Sequence, residues 1–143
     1  MRTLGLDVGE RRIGVAISDP DGRLAVPLRV IERHGAGDAA AIAMLAEREE
    51  AGRIVVGLPL SLDGAAGAQA RHSEAFAAEL KAVTTADVVF YDERFSSAEA
   101  DVHLRAAGLN TRDARRHRDA VAASIILQAY LDSLRFPPLP PIQ

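Results

Sequence analysis

The sequence predicts an α/β fold: one mixed-sheet domain with helices on both faces. Three observations lead there. The first 33 residues hold three strand-like runs joined by short turns, which makes them antiparallel neighbours. Helical stretches and continuous apolar runs then alternate, the pattern of parallel strands covered on both faces. The chain has 143 residues, close to the size of one domain with one core.

The elements follow in order. "TLGLDV" (3–8) is a strand with Leu4, Leu6 and Val8 on one face and Thr3, Gly5 and Asp7 on the other. "RIGVAISD" (12–19) is the second strand, reached through the tight turn VGER. "LAVPLRVIER" (24–33) is the third, and Pro27, which cannot donate to a ladder, makes it an edge strand. Asp38 reads as the N-cap of an Ala-rich helix over 39–50, stopped by Gly52. "RIVVGLP" (53–59) is a strand buried on both faces, and a Gly-rich loop (63–67) leads into a helix over 68–82. "DVVFYD" (87–92) reads as another buried strand. Ser96 with Glu99 forms a capping box for a helix that Gly108 ends. A polar, arginine-bearing loop (110–118) precedes a last helix from about His117 to Leu134. The Pro-rich end cannot continue that helix and reads as an appendage, so the domain spans 1–136 and the tail 137–143.

Composition narrows the chemistry. There is no cysteine, which excludes disulfides, thiolate catalysis and zinc ribbons. No apolar run approaches the ~20 residues that cross a bilayer, and no leader-like segment opens the chain, so a cytoplasmic location without membrane contact is expected. The net charge of −3 argues against indiscriminate nucleic-acid binding but leaves room for a local basic patch. Of the 17 basic residues only Lys81 is lysine. Arginine suits bidentate phosphate contacts, although Arg-rich, Ala-rich composition also follows from codon bias.

Three acids stand where acids are costly. Asp7 ends the first strand, and Glu93 follows the last. In an α/β sheet, ligands sit beyond the C-terminal ends of the strands. With the first and fourth strands side by side and parallel, Asp7 and Glu93 project from one sheet edge. Asp119 shares a helical face with Ala122, Ala123, Ile126 and Tyr130, a face suited to packing on the sheet. Clustered carboxylates repel and are stable together around divalent cations. Oxygen-only ligands favour Mg²⁺ or Mn²⁺. Two such ions ~4 Å apart activate a water and stabilise the leaving oxygen in phosphodiester hydrolysis. Each acid also has a purely structural reading: Asp7 capping the 8–11 turn, Glu93 pairing with Arg94, Asp119 favouring its helix dipole.

Supporting residues are less distinctive. Gly9 and Gly14 permit close backbone approach, to a phosphate or simply within the turn and strand. "GLPLSLDG" (57–64) either offers backbone N–H groups to a phosphate or only connects strand to helix. Arg94 contacts a scissile phosphate or forms an ion pair. Arg112, Arg115, Arg116 and Arg118 form the densest basic stretch, just before Asp119, and suit a phosphate guide or a solvated loop. His117 lies off the face of Asp119 and is not expected to be a ligand.

The segments "LGLDVGERRIGVAISD", "IVVGLPLSLDG", "YDERFSSAEAD" and "HRDAVAASIILQAYLD" resemble, in order and spacing, those of the YqgF/RuvX family of RNase H-like nucleases. The likeness covers roughly residues 3–133. It implies an RNase H-like fold with a five-stranded sheet ordered 3-2-1-4-5, strands 1–3 antiparallel. It implies that Asp7, Glu93 and Asp119 are catalytic, metal-binding acids, with Mg²⁺ or Mn²⁺ in a two-metal site. Family members are described as nucleases that mature the 5′ end of pre-16S ribosomal RNA, and some as Holliday junction resolvases similar to RuvC. Many carry a Lys-Gly-like step before the final acid, where this chain has "RRHRD".

The expected function is therefore a divalent-metal-dependent nuclease in ribosome biogenesis, with Arg94, Arg112, Arg115, Arg116 and Arg118 holding the nucleic acid. Resolution of four-way DNA junctions is the alternative, and its two symmetric cuts favour a homodimer. An actin- or sugar-kinase-like ATPase also begins with Asp-x-Gly, but 143 residues leave no second lobe. A catalytically silent RNA-binding factor would not retain three repelling acids.

Overall fold

The computed structural model describes residues 1–60, 63–95 and 111–136, the side chains of 95 and 111–116 excepted. Strands β1 (Arg2–Val8), β2 (Arg12–Ser18) and β3 (Ala25–Glu32) form an antiparallel meander. Helix α1 (Asp38–Arg48) leads to β4 (Ala51–Leu58), and α2 (Ala68–Val83) to β5 (Asp87–Asp92). A single 3-10 turn, Glu93–Phe95, follows β5, and α3 covers Thr111–Arg135. The five strands form one sheet in the order β3-β2-β1-β4-β5. β4 is parallel to both β1 and β5. The mixed sheet expected from the sequence is present, with β1 at its centre.

Side-chain alternation divides the core. Leu4, Leu6 and Val8 of β1, Ile13 and Val15 of β2, and Ile54 and Val56 of β4 face α1 and α2, where Ile42, Leu45, Phe76 and Leu80 meet them. Ala16 and Val55 face the other way, onto Ala123, Ile126, Leu127 and Leu131 of α3. Helices therefore cover both faces. Each buried aliphatic side chain here contributes about 1.5–3 kcal/mol relative to exposure.

Several local expectations change. β3 is an edge strand, as Pro27 leads one to expect, but its register also slips where Ala16 pairs with Pro27, so the residue without an N–H sits at a bulge. Asp38 is the first residue of α1 rather than its N-cap, which is Gly37. Its carboxylate instead accepts from the backbone N–H groups of His34 and Gly35 and from Arg33 Nε, closing the preceding turn. α1 ends before Glu50, which adopts a left-handed φ of 59°, and Gly52 lies within β4. β5 is the other edge of the sheet rather than a buried strand: it has one neighbour, and Phe90 is exposed, with the Lys81 ammonium 5.8 Å from its ring centroid. Of the expected 110–118 loop, residues 111–118 are helical, and residue 110 lies outside the described residues. α3 begins at Thr111, and nothing between 111 and 119 is proline or glycine to stop it. The capping box at Ser96 and Glu99, the stop at Gly108 and the 137–143 tail lie outside the described residues.

Candidate active site

Asp7 lies near the C-terminal end of the central strand, paired in register with Gly14 of β2. By parity it points away from Leu6 and Val8 and toward the face covered by α3. Burial, and then the nearby Asp119 carboxylate, push its carboxyl up to about 6.

Glu93 opens the 3-10 turn just beyond β5. It reaches over β4 at Gly57, where a Cβ would stand 3.0 Å from Glu93 Oε2 and 2.8 Å from Ile126 Cδ1. The missing side chain at 57 makes the space that this carboxylate uses. Burial, then Asp7, then Asp92 push Glu93 up to about 7.

Asp119 arrives on α3. Helix and sheet approach closely because β2 carries glycine at 14: a Cβ there would overlap the Asp119 main chain. Gly5 of β1 repeats the device under Leu127. On the solvent side, Arg12 Nε donates to Asp119 Oδ2 at 3.2 Å.

Asp7 is the shared member of this group, raised by Asp119 and itself raising Glu93. Among the described residues, no three acids or histidines form a finished cage for an ion as they stand. The donor chemistry nonetheless fits a divalent cation. The candidate donors are hard carboxylate oxygens, and burial and neighbouring acids push two of them upward.

The other expected residues are distributed as follows. Arg94 is bound to Asp92, with Nη2 2.5 Å from Oδ2 and Nε 2.8 Å from the same oxygen. This hydrogen bond holds Asp92 below the usual carboxylate range. The ion pair expected for Arg94 therefore forms, but with Asp92 instead of Glu93. Arg118 and His117 are exposed. Arg112, Arg115 and Arg116 fall on the first turns of α3, leading into Asp119, with side chains outside the described set. The 57–64 connection includes residues 61 and 62, also outside it. Its far end is a turn in which Ala65 N–H donates to Asp63 Oδ1, and Gly64 takes a left-handed φ of 86°.

Two contacts at the site come from residues that the sequence does not single out. One is Arg12. The other is Gln69, whose Nε2 donates to the Val8 carbonyl at 2.7 Å and so ties the first turn of α2 to the strand end beside Asp7. Gly9, a candidate phosphate contact, is used within the β1–β2 turn: its N–H donates to Arg12 O and its carbonyl accepts from Arg33.

A family model described as RuvX, Holliday junction resolvase, matches residues 1–133 and so includes all three acids. The chain belongs to the RuvX family. A curated relative from Anaeromyxobacter sp. (strain Fw109-5), named "Putative pre-16S rRNA nuclease", is 47% identical over 133 residues, covering 92% of this chain and 97% of the relative. One of the same name from Chloroflexus aurantiacus is 47% identical over 136 residues, covering 94% and 89%. Among solved structures, RuvC of Thermus thermophilus in complex with a Holliday junction substrate superposes with a TM-score of 0.59 at 13% identity, covering 95% of this chain and 97% of that one. The fowlpox virus Holliday junction resolvase gives 0.55 at 13%, covering 93% and 99%. These structural matches establish the RuvC-like, RNase H-like fold for the RuvX chain described above.

Proposed function

We propose that this RuvX-family nuclease is divalent-metal-dependent and trims the 5′ end of precursor 16S rRNA. The observation that carries the reading is the placement of Asp7 between Glu93 and Asp119 on the α3 face of the sheet, with Asp7 and Glu93 both held above their ordinary values. Asp7, Glu93 and Asp119 would hold Mg²⁺ or Mn²⁺, as two ions. Bound there, the metal supplies activation of a water and stabilisation of the leaving oxygen. The chain's own residues do the rest. Gly14 and Gly57 admit the acids, Gln69 holds the end of β1, and the basic start of α3 with Arg94 meets the phosphate backbone. Residues 1–136 act as the nuclease domain, with 137–143 appended, and ribosomal RNA as substrate puts the work in the cytoplasm.

The choice of RNA over DNA rests on the curated relatives, named for pre-16S rRNA at 47% identity. Resolution of four-way DNA junctions is the second reading, favoured by the description of the family model. It requires a homodimer to place two cuts. Family membership displaces the ATPase and silent-factor alternatives. The test gives the purified protein, with Mn²⁺, a pre-16S 5′ fragment and a synthetic four-way junction side by side. Preferential cutting of the RNA is expected; symmetric cutting of the junction alone would reverse the assignment.

A further inference from the structure

Arg12 has no role in the site as described so far, yet it touches one of the proposed ligands. It opens β2, two residues before Gly14 and so on the same sheet face as Asp7. Its Nε donates to Asp119 Oδ2 at 3.2 Å, with the two side chains 49% and 32% exposed. Both groups are thus reachable from solvent, and an ion pair so exposed is weak and exchangeable. Of the guanidinium N–H groups, only that on Nε is engaged by a described residue. Other arginines nearby are held outside the triad: Arg94 by Asp92, and Arg33 by Asp38 and the Gly9 carbonyl.

We propose that Arg12 is a charge placeholder, holding Asp119 in the metal-free site and passing to a backbone phosphate of the nucleic acid when that carboxylate is taken up in metal binding. The inference rests on the metal reading of the triad. A guanidinium beside Asp119 competes with a divalent cation for the same oxygen and repels it. Once displaced, its planar fork matches a phosphate better than it matched a single carboxylate oxygen. Metal and nucleic acid therefore help each other bind, by the same factor in each direction. Arg12 acts on the metal only through Asp119 and is in that respect a positioning residue.

The experiment measures Mn²⁺ binding to the full chain by electron paramagnetic resonance of the free ion. It also measures binding of a phosphorothioate-linked single strand, which resists hydrolysis, in EDTA and in Mn²⁺. Without nucleic acid, Arg12→Ala should bind Mn²⁺ about two- to fivefold tighter than the natural chain, the range set by an exposed ion pair. Arg12→Lys, which keeps the charge, should stay near the natural value. The Mn²⁺-dependent gain in strand affinity should shrink in Arg12→Ala, and the salt slope in Mn²⁺ should fall by about one. Asp7→Asn serves as control. If it loses Mn²⁺ binding while Arg12→Ala leaves Mn²⁺ and strand affinities unchanged, the placeholder role is overturned and the metal site stands. If Asp7→Asn binds Mn²⁺ as the natural chain does, the metal reading falls and the placeholder with it.

Discussion

A Cβ on Gly14 would overlap the carbonyl oxygen of Asp119. The contact joins the strand opposite Asp7 to the helix that carries the third acid, main chain against main chain. Neither side can yield by rotating a side chain. Gly14→Ala should therefore push α3 off the sheet, at about 3 kcal/mol of stability, and lose nuclease activity. For Gly57→Ala the nearest atoms to the new Cβ are the ends of Ile126 and Glu93, which can move. It should cost about 1 kcal/mol yet still impair cleavage by displacing Glu93. Urea unfolding of both variants checks the order; equal losses would contradict it.

Asp7→Asn should reduce Mn²⁺- or Mg²⁺-dependent cleavage to background while the fold persists. Circular dichroism and a cleavage assay on one preparation check this. Full activity in the variant would remove Asp7 from the site.

The same substitution has a pH signature. Asp7 is raised from 3.8 to about 6 and Glu93 from 4.5 to about 7. Between the unfolded and folded values, the folded protein keeps protons that the unfolded chain has released. Stability from these groups is therefore fully present below about 4 and declines as pH rises toward about 7. Asp38 and Asp92 have the opposite sign. Burial works against Asp38 but its hydrogen bonds prevail, Arg94 lowers Asp92, and the stability both supply is lost only in stronger acid. In metal-free buffer, Asp7→Asn should melt with the natural chain near pH 4 and a few degrees above it near pH 7.5. Mn²⁺ should raise the melting temperature of the natural chain alone. A difference independent of pH would contradict the burial of Asp7.

Much of this site is legible in the chain. Alternation in "TLGLDV" puts Asp7 on the face opposite Leu4 and Leu6, and the 3.6-residue period puts Asp119 with Ala123 and Ile126. What the sequence hides depends on partners distant along it. Arg12 and Asp119 are 107 positions apart, and Gln69 and Val8 are 61 apart. No local pattern marks either pair. "DVVFYD" looks buried because its composition is apolar, but sheet order leaves it at an edge. Asp38 has the residue type and position of an N-cap, and backbone N–H groups of the turn before it compete for its carboxylate. The start of α3 is hard to place because four arginines look like a loop, although arginine is a good helix former.

Arg115 and Arg116 belong to that helix. Replacing both with Ala should keep the helix, since alanine favours it. It should also weaken nucleic-acid binding, with the salt slope reduced by about one for each phosphate these arginines neutralise. Titration of a single strand at several salt concentrations measures the slope. An unchanged slope would make these side chains bystanders.

Gln69→Ala removes the one described side-chain bond to the Val8 carbonyl. The expected loss is about 1 kcal/mol, with kcat lowered and KM nearly unchanged, because the bond steadies the strand end and not the substrate. A raised KM at constant kcat would point to direct substrate contact instead.

Gly5, Gly14 and Gly57 stand on three adjacent strands beneath one helix. Each forgoes the branched side chain that strands prefer, so the sheet is weakest in local preference where α3 lies closest. The separation of the acids is consequently a main-chain dimension, closed to gradual adjustment by exchanging one apolar residue for another. An engineer seeking a sturdier protein cannot fill these three positions. Divergence toward other substrates is left to the rim, where Arg12 and Arg118 can change without moving the floor.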